Sequence, residues 1–215
     1  VVSCVGGHLH VHVPATVDTF RVRVGHRAGL YGAFSTMAEA VGLASCLAAG
    51  GCVIRAAAIA SSHFCAAERQ FRTPRTYGGK RTPTAQWTAT AAGCCLVEPE
   101  GNGPVVRAVT CGRVRDYEIC DINNMGAAMA PAAAETILRY CEDTGNTPAR
   151  FDAVYTGDLG IVGTRLLKEL LEKADVELKK PRDCGITLSD VEPPDVQAGG
   201  RGAGCTAGGP LRVVV

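Results

Sequence analysis

The sequence has few aromatic residues, no excess charge of either sign and no long apolar run. Aromatic residues make up 5% of the 215 residues, and 22 Lys and Arg balance 21 Asp and Glu to a net charge of +1. That balance gives no electrostatic reason to expect nucleic acid or an anionic membrane as a direct ligand. No stretch is apolar over the roughly 20 residues that a membrane-spanning helix needs. We therefore expect no transmembrane segment and no nucleic-acid partner.

Signals of secretion and of metal-bound or redox-active cysteine are also missing. The first residues, VVSCVGGHLHVHVPA, place no charged segment ahead of an apolar run, so we expect no signal peptide. Eleven cysteines are present, but no two are spaced as Cys-x-x-Cys, which argues against a zinc ribbon or a redox centre. We expect reduced, cytosol-like thiols, many of them filling small apolar gaps among Ala and Gly.

What the sequence does contain is an alternation of strand and helix patterns. Hydrophobic residues reach 47% and charged residues 20%, enough for a buried core in a chain of this length. Pro131 suits a helix's first turn, and Gly50 and Gly145 suit helix ends. The predicted elements are helices over 37–49, 130–144 and 163–174 and strands over 52–60, 88–97, 105–114 and 151–156. Their order predicts a layered α/β fold with a largely buried sheet.

Several loops follow the predicted strands and are candidates for chemistry. In open α/β sheets, ligands bind at the carboxyl ends of strands, which here carry Ser61-Ser62-His63 and Gly157-Asp158-Leu-Gly160. The Gly157–Gly163 turn lacks a paired Gly-x-Gly, so it is weak evidence for a dinucleotide. Its helix N-terminus could hold a carboxylate or phosphate, although a plain strand-to-helix turn is the simpler interpretation. The glycine-rich stretch 197–207 is predicted as a loop that allows close backbone approach.

Three other groupings each allow a functional and an ordinary interpretation. His8, His10 and His12 alternate, which would align three imidazoles on a strand as in a metal site; we favour an ordinary terminal segment. His63 and Cys65 invite a Cys–His nucleophile, but a hydrogen-bonding loop histidine is the simpler alternative. The cluster from Glu68 to Arg72, with Arg75, Lys80 and Arg81, suits bidentate binding of a planar carboxylate or is a solvated loop.

A set of longer motifs resembles one family, the stage V sporulation protein AD family, in order and spacing from about Gly29 to Ala207. The motifs are Ser61-Ser-His-Phe-Cys-Ala-Ala-Glu-Arg-Gln-Phe-Arg72, Tyr77-Gly-Gly, Thr82-Pro-Thr-Ala-Gln-Trp-Thr88, Asp121-Ile-Asn-Asn-Met-Gly-Ala-Ala-Met-Ala-Pro-Ala-Ala-Ala134, Thr156-Gly-Asp-Leu-Gly160, Asp183-Cys-Gly185 and Ala198-Gly-Gly-x-Gly-x-Gly-Cys205. The resemblance implies a thiolase-like layered α/β fold, usually paired as a homodimer. It also implies binding of dipicolinic acid, often as its calcium chelate, and action in endospore formation with the membrane proteins of the stage V sporulation A channel complex.

The sequence departs from the family at both ends and at one internal position. We expect residues 1–28 to be an atypical segment, 29–207 a partial thiolase-like domain and 208–215 a truncated end, so that the fold is incomplete. In Gly29-Leu-Tyr-Gly-Ala-Phe-Ser-Thr-Met37, a strand-to-helix elbow whose helix Ser35 or Thr36 would cap, Phe34 stands where the family has the nucleophile-position Cys. The positions expected for the partner His or Asn, near Asp158 and Gly199-Gly200, supply no imidazole or amide.

The predicted function is therefore non-catalytic binding of dipicolinic acid, supporting its uptake into the developing spore. The protein would be cytoplasmic or in the forespore, peripheral to the inner spore membrane, with no cofactor or metal of its own and calcium only as part of the chelate. The alternatives are an active thiolase or ketoacyl-synthase-like acyltransferase using CoA thioesters and a non-functional fragment. The candidate ligand-binding residues are Phe34, as a wall or a plug, with Ser61, Ser62, His63, Arg69, Thr84, Gln86, Asp158, Gly199 and Gly200.

Overall fold

The computed structural model describes residues 2–7, 27–30, 32–62, 82–189 and 198–209, with the side chains of 2–7, Arg27 and Ala33 left out. The histidine triplet at His8, His10 and His12 lies outside these residues, as does the loop with His63, Cys65 and Arg69. The strands are β1 Val2–Gly7, β2 Arg27–Leu30, β3 Arg55–Ser62, β4 Trp87–Thr88, β5 Ala91–Val97, β6 Val154–Thr156, β7 Pro181–Asp183 and β8 Gly200–Arg201. The helices are α1 Thr36–Ala49, α2 Met125–Thr144, α3 Gly160–Glu172, α4 Cys184–Thr187 and α5 Ala203–Gly208.

The described residues fall into two compact units. The first contains those up to Ser62 together with 88–107 and 202–209, and the second contains 82–87, 108–189 and 198–201. The first unit is built on a four-stranded sheet in the order β2-β1-β3-β5, in which β1 is parallel to β2 and β3, and β5 is antiparallel to β3. Strand β1 thus lies inside the segment predicted to be atypical.

Small side chains determine the packing of the first unit. Ala40 and Ala44 of α1 and Ala56, Ala58 and Ala60 of β3 are buried in one apolar cluster with Met37 and Ala207. Because most side chains in this cluster are single methyl groups, α1 and α5 lie close against the strands. Gly93 of β5 has no room for a side chain, because an added Cβ would lie 2.5 Å from the Ala207 carbonyl oxygen.

The second unit packs two long helices beside short strands. Helices α2 and α3 cross at a pair of glycines, where a Cβ added to Gly163 would lie 2.9 Å from the Gly126 Cα. Below this crossing, Leu167 and Leu171 are fully buried against Ala130 and Ala134. Strands β6 and β7 are parallel and place Thr156 opposite Asp183. Asn124 caps α2, since its side chain accepts from the Ala127 N–H, and Gly145 ends α2 in the left-handed region with φ +64°, as predicted.

Two element predictions are wrong, and one predicted helix begins earlier than expected. The strand expected over 105–114 is absent, and these residues are almost all exposed without regular structure; β-branched residues favour strands only where a partner strand and a buried face are available. Helix α2 starts at Met125 rather than Ala130, so that Pro131 lies inside the helix instead of in its first turn. The stretch 198–207, predicted as a loop, contains β8 and most of α5.

The prediction that many cysteines fill small apolar gaps is wrong for most of the described ones, since only Cys184 and Cys205 are buried. The nine described cysteines are free thiols, five of them exposed. No helix in the described ranges is long and apolar enough to cross a membrane. Within the same ranges, no group of three or more His, Cys, Asp and Glu side chains is placed to hold a metal ion.

Candidate functional site

The elbow predicted around Phe34 is a tight turn leading directly into a helix. Ala33–Ser35 form one 3₁₀ turn, closed by a hydrogen bond of 3.0 Å from the Ser35 N–H to the Gly32 carbonyl, and α1 begins at Thr36. The prediction that the Ser35 side chain caps α1 is wrong. Its hydroxyl lies 2.6 Å from the Gly32 carbonyl oxygen and 2.5 Å from a Glu39 carboxylate oxygen. Phe34 is half-buried at the tip of this turn.

Ser62, a candidate ligand donor, is engaged by the protein itself. It ends β3 and is only 3% exposed. Its hydroxyl donates to the Ala89 carbonyl at 2.7 Å and accepts the Gly204 N–H at 3.1 Å. The single hydroxyl proton is therefore already used, and Ser62 holds α5 against the end of β3. Ser61, beside it, is half-buried.

Gly204 lies where α5 comes closest to the strands. A methyl group at this position would overlap both the Ala91 carbonyl oxygen and the Ser62 Oγ. Helix α5 also packs against the turn that carries Phe34. Within the first unit, the fold thus brings the Phe34 turn, the end of β3 and α5 into one neighbourhood.

In the second unit, Gln86 and Asp158 are connected directly. Both are buried, at 4% and 2% exposure, and the Gln86 Nε2 donates to the backbone carbonyl of Asp158 at 2.6 Å. Thr84, two residues earlier, is half-buried, with its hydroxyl 3.3 Å from that of Thr82. The structure therefore brings together Gln86 and Asp158, which lie 72 positions apart in the sequence.

Gly199 and Gly200 form a buried strip of backbone in the same unit. Gly199 has φ +92°, a conformation that side chains disfavour, and its carbonyl accepts the Trp87 N–H at 3.1 Å. Gly200 belongs to β8, and its carbonyl oxygen leaves no room for a side chain at Gly185. Close approach of backbones, which the glycine content predicted, is what this strip provides.

The central residue of the second unit is Asp183, which the sequence placed only in a family motif. It is 3% exposed, and its carboxylate accepts four hydrogen bonds. Oδ2 accepts from the Thr156 hydroxyl at 2.8 Å and the Leu159 N–H at 2.7 Å, and Oδ1 accepts from the N–H groups of Gly160 and Ile186, both at 3.1 Å. Helix-capping preference at the start of α4 was the one signal in the sequence that could have indicated this role.

This arrangement corrects the hypothesis that the N-terminus of α3 holds an external anion. The Leu159 and Gly160 N–H groups donate to Asp183, and the Ile161 N–H donates to the Ala198 carbonyl at 3.2 Å. A helix N-terminus attracts negative charge through such groups. Here the chain supplies that negative charge itself, so these donors are not available to a ligand.

Cys184, next to Asp183, is a buried and unreactive thiol. It is fully buried, and burial, together with the charges of Asp183 and Asp158, raises its pKa to about 12. A thiol with such a pKa holds almost no thiolate at neutral pH. All five histidines of the sequence (His8, His10, His12, His26 and His63) lie outside the described residues, so the described part of the chain presents no Cys–His pair.

A family model and a curated relative match most of the chain. The model described as Stage V sporulation protein AD matches residues 6–211, beginning well before Gly29. The Stage V sporulation protein AD of Bacillus subtilis (strain 168) is 40% identical over 181 residues, which cover 83% of this chain and 53% of that protein. The chain thus spans about half the length of this curated relative.

Solved structures of condensing enzymes share the fold. The 3-oxoacyl-[acyl-carrier-protein] synthase III of Aquifex aeolicus VF5 has a TM-score of 0.60 at 10% identity, covering 99% of this chain and 67% of the enzyme. AbyA1, a tetronic acid condensing enzyme, has a TM-score of 0.58 at 15% identity, covering 99% and 69%. At such identities the likeness concerns the fold alone, and it confirms the predicted thiolase-like α/β class.

Proposed function

The chain belongs to the Stage V sporulation protein AD family, a family of sporulation proteins, and from that premise we propose that it is a non-catalytic binding protein for dipicolinic acid or its calcium chelate. In this proposal it supports uptake of the ligand into the developing spore, together with the membrane proteins of the stage V sporulation A channel complex. It acts as a homodimer in the cytoplasm or forespore, peripheral to the inner spore membrane. It needs no cofactor, and calcium enters only with the ligand.

Phe34 is the observation that carries the non-catalytic part of the proposal. In the family motif Gly-Ala-Cys-Ser-Thr, its position belongs to a Cys, the nucleophile of related condensing enzymes. A phenyl ring has no lone pair with which to attack a thioester, and no acidic proton whose loss would create a nucleophile. The ring is half-buried at the tip of the turn before α1, where it would serve as an apolar wall for a flat ligand or fill part of its space.

Each of the two units contains polar candidates for contact with the ligand. Dipicolinate has two carboxylates, a ring nitrogen and a flat face, so its site needs donors at two ends and an apolar wall. In the first unit Ser61 is the candidate donor. In the second unit the candidates are Thr84, Gln86, Asp158 and the backbone of Gly199 and Gly200, while His63 and Arg69 belong to the loop outside the described residues.

An active acyltransferase using CoA thioesters is the competing function, because the structural neighbours are condensing enzymes. It would need a thiol elsewhere in the chain. Cys205 is fully buried in α5, and Cys65 belongs to the family motif after β3. Stoichiometric modification of either cysteine by a thiol-reactive acyl analogue would favour the enzyme over the binding protein.

Calorimetric titration tests the proposal directly. Dipicolinate and its calcium chelate would each be titrated into the wild-type chain, Phe34→Cys and the surface control Phe151→Cys. We expect binding by the wild type, an altered affinity for Phe34→Cys and no change for Phe151→Cys. Binding by Phe34→Cys alone would make Phe34 a plug, and absence of heat with all three proteins would refute ligand binding by this chain.

A further inference from the structure

We propose that Asp183 is the positioning residue of the ligand site in the second unit, a role that rests on the proposed function. Asp183 is 3% exposed, and its carboxylate already accepts four hydrogen bonds from the protein, so we do not expect it to contact the ligand. It instead joins the two elements that carry candidate ligand residues, the loop with Asp158 and the strip Gly199-Gly200.

The loop with Asp158 is held on both sides by Asp183. Thr156 donates its hydroxyl to the carboxylate from before Asp158, and Leu159 and Gly160 donate their N–H groups from after it. The backbone on both sides of Asp158 is therefore held in place by Asp183. The Gln86 amide holds the Asp158 carbonyl, which leaves this short loop little freedom.

The glycine strip is held through α4. Asp183 caps α4 by accepting the Ile186 N–H at 3.1 Å. Within α4, Gly185 lies so close to Gly200 that a Cβ would overlap the Gly200 carbonyl oxygen. Gly160, another donor to Asp183, has equally little room beside the Ala198 carbonyl. A displacement of Asp183 would therefore be transmitted by direct contact to Gly200 and to Ala198, the residue before the strip.

A carboxylate is the group that this position requires. All four partners are donors, and each carboxylate oxygen accepts two of them. An ionised Asp only accepts hydrogen bonds, whereas Asn has one oxygen and a donating NH₂ group. In an Asn at this position, the NH₂ group would face two of the four donors and could accept neither hydrogen bond. The side-chain volume would hardly change.

The test compares Asp183→Asn with Thr156→Val, which removes a single donor, and with the control Asp175→Asn. Asp175 is exposed with φ +57°, a conformation that Asn tolerates. The readouts are the dipicolinate-chelate affinity, the thermal midpoint and the amide hydrogen exchange of Leu159, Gly160 and Gly200 without ligand. Gly200 does not contact Asp183 in any described hydrogen bond, so its exchange reports the coupling rather than a lost bond.

For Asp183→Asn we expect an affinity at least about tenfold weaker and faster exchange at all three amides. Thr156→Val should show smaller changes in the same direction, and Asp175→Asn none.

A folded Asp183→Asn with wild-type affinity and wild-type exchange at Gly200 would overturn the proposal, whatever its thermal midpoint. If Asp183→Asn does not fold, Thr156→Val is the deciding variant. Faster exchange at Leu159 in Thr156→Val, with wild-type affinity and wild-type exchange at Gly200, would count against a positioning role. If the wild type binds no dipicolinate, the proposed function fails. Comparing Gly200 exchange between the wild type and Asp183→Asn would still show whether Asp183 holds the glycine strip.

Discussion

At the scale of single residues, identity and environment give different information. The significance of Phe34 lies in what it is, an aromatic ring where the family has a thiol. The significance of Asp183 lies in where it is, buried among four donors. A carboxylate is rarely buried unless it is hydrogen-bonded or paired, so its full set of partners explains how it is tolerated in the interior.

Cys184 shows how burial controls reactivity. Because the thiolate is the reactive form and burial raises the pKa of Cys184 to about 12, we expect iodoacetamide at pH 8 to leave it unmodified in the native protein. The exposed Cys111 and Cys120 should be alkylated under the same conditions. Peptide mass mapping, with a denatured sample as control, measures this. Alkylation of Cys184 at the rate of Cys111 would contradict the burial argument.

The same pKa shift makes stability depend on pH in the alkaline range. The folded-state pKa of Cys184 is raised above its ordinary value of 9.0, so its contribution is fully present below pH 9. As the pH rises from about 9 towards 12, the unfolded chain loses this proton first, and the free energy of unfolding falls.

At the scale of elements, close packing around glycine and alanine determines how helices meet strands. Helix α5 lies against β3 and β5 because Gly204 and Gly93 have no side chains at the points of contact. Helices α2 and α3 use Gly126 and Gly163 in the same way. The abundance of Gly and Ala, which alone suggests flexibility, here permits short distances between elements.

Gly204→Ala tests this packing. The added methyl group would overlap the Ala91 carbonyl oxygen and the Ser62 Oγ, so we expect the free energy of unfolding to fall by roughly 1–3 kcal/mol. Gly101→Ala is the control, because nothing lies within 4 Å of its added Cβ. Urea denaturation of both variants provides the comparison. Equal stability of the two variants would mean that α5 does not pack as described.

At the scale of the whole molecule, the residues between β5 and α2 are the least protected part of the described chain. Val105, Val114 and Ile122 are exposed at 69%, 102% and 52%, and residues 101–120 form no helix or strand. Arg115 is tied to α2 through its pair with Glu135 at 2.7 Å. Within this segment, between Arg107 and Ala108, the chain passes from the first unit to the second.

Limited trypsin digestion tests that exposure. Among the described residues we expect the first cuts after Arg107 and Arg113, which are exposed and lie outside regular structure, where proteases act most readily. Arg139 in α2 and Arg165 in α3 are the internal controls and should be cut later. Mass spectrometry of early time points identifies the fragments. Early cleavage at Arg139 or Arg165 would show that the helices open more easily than the segment before them.

The sequence by itself determined the fold class, the elbow at Phe34 and the end of α2 at Gly145. These depend on local periodicity, on turn chemistry and on motifs that a family shares. Only the tertiary structure decided that residues 105–114 form no strand, that the Ser62 hydroxyl is used internally and that Asp183 fills the N-terminus of α3. Each of these depends on groups distant in the sequence, since a strand needs a partner and a buried polar group takes whichever donor or acceptor the fold places beside it.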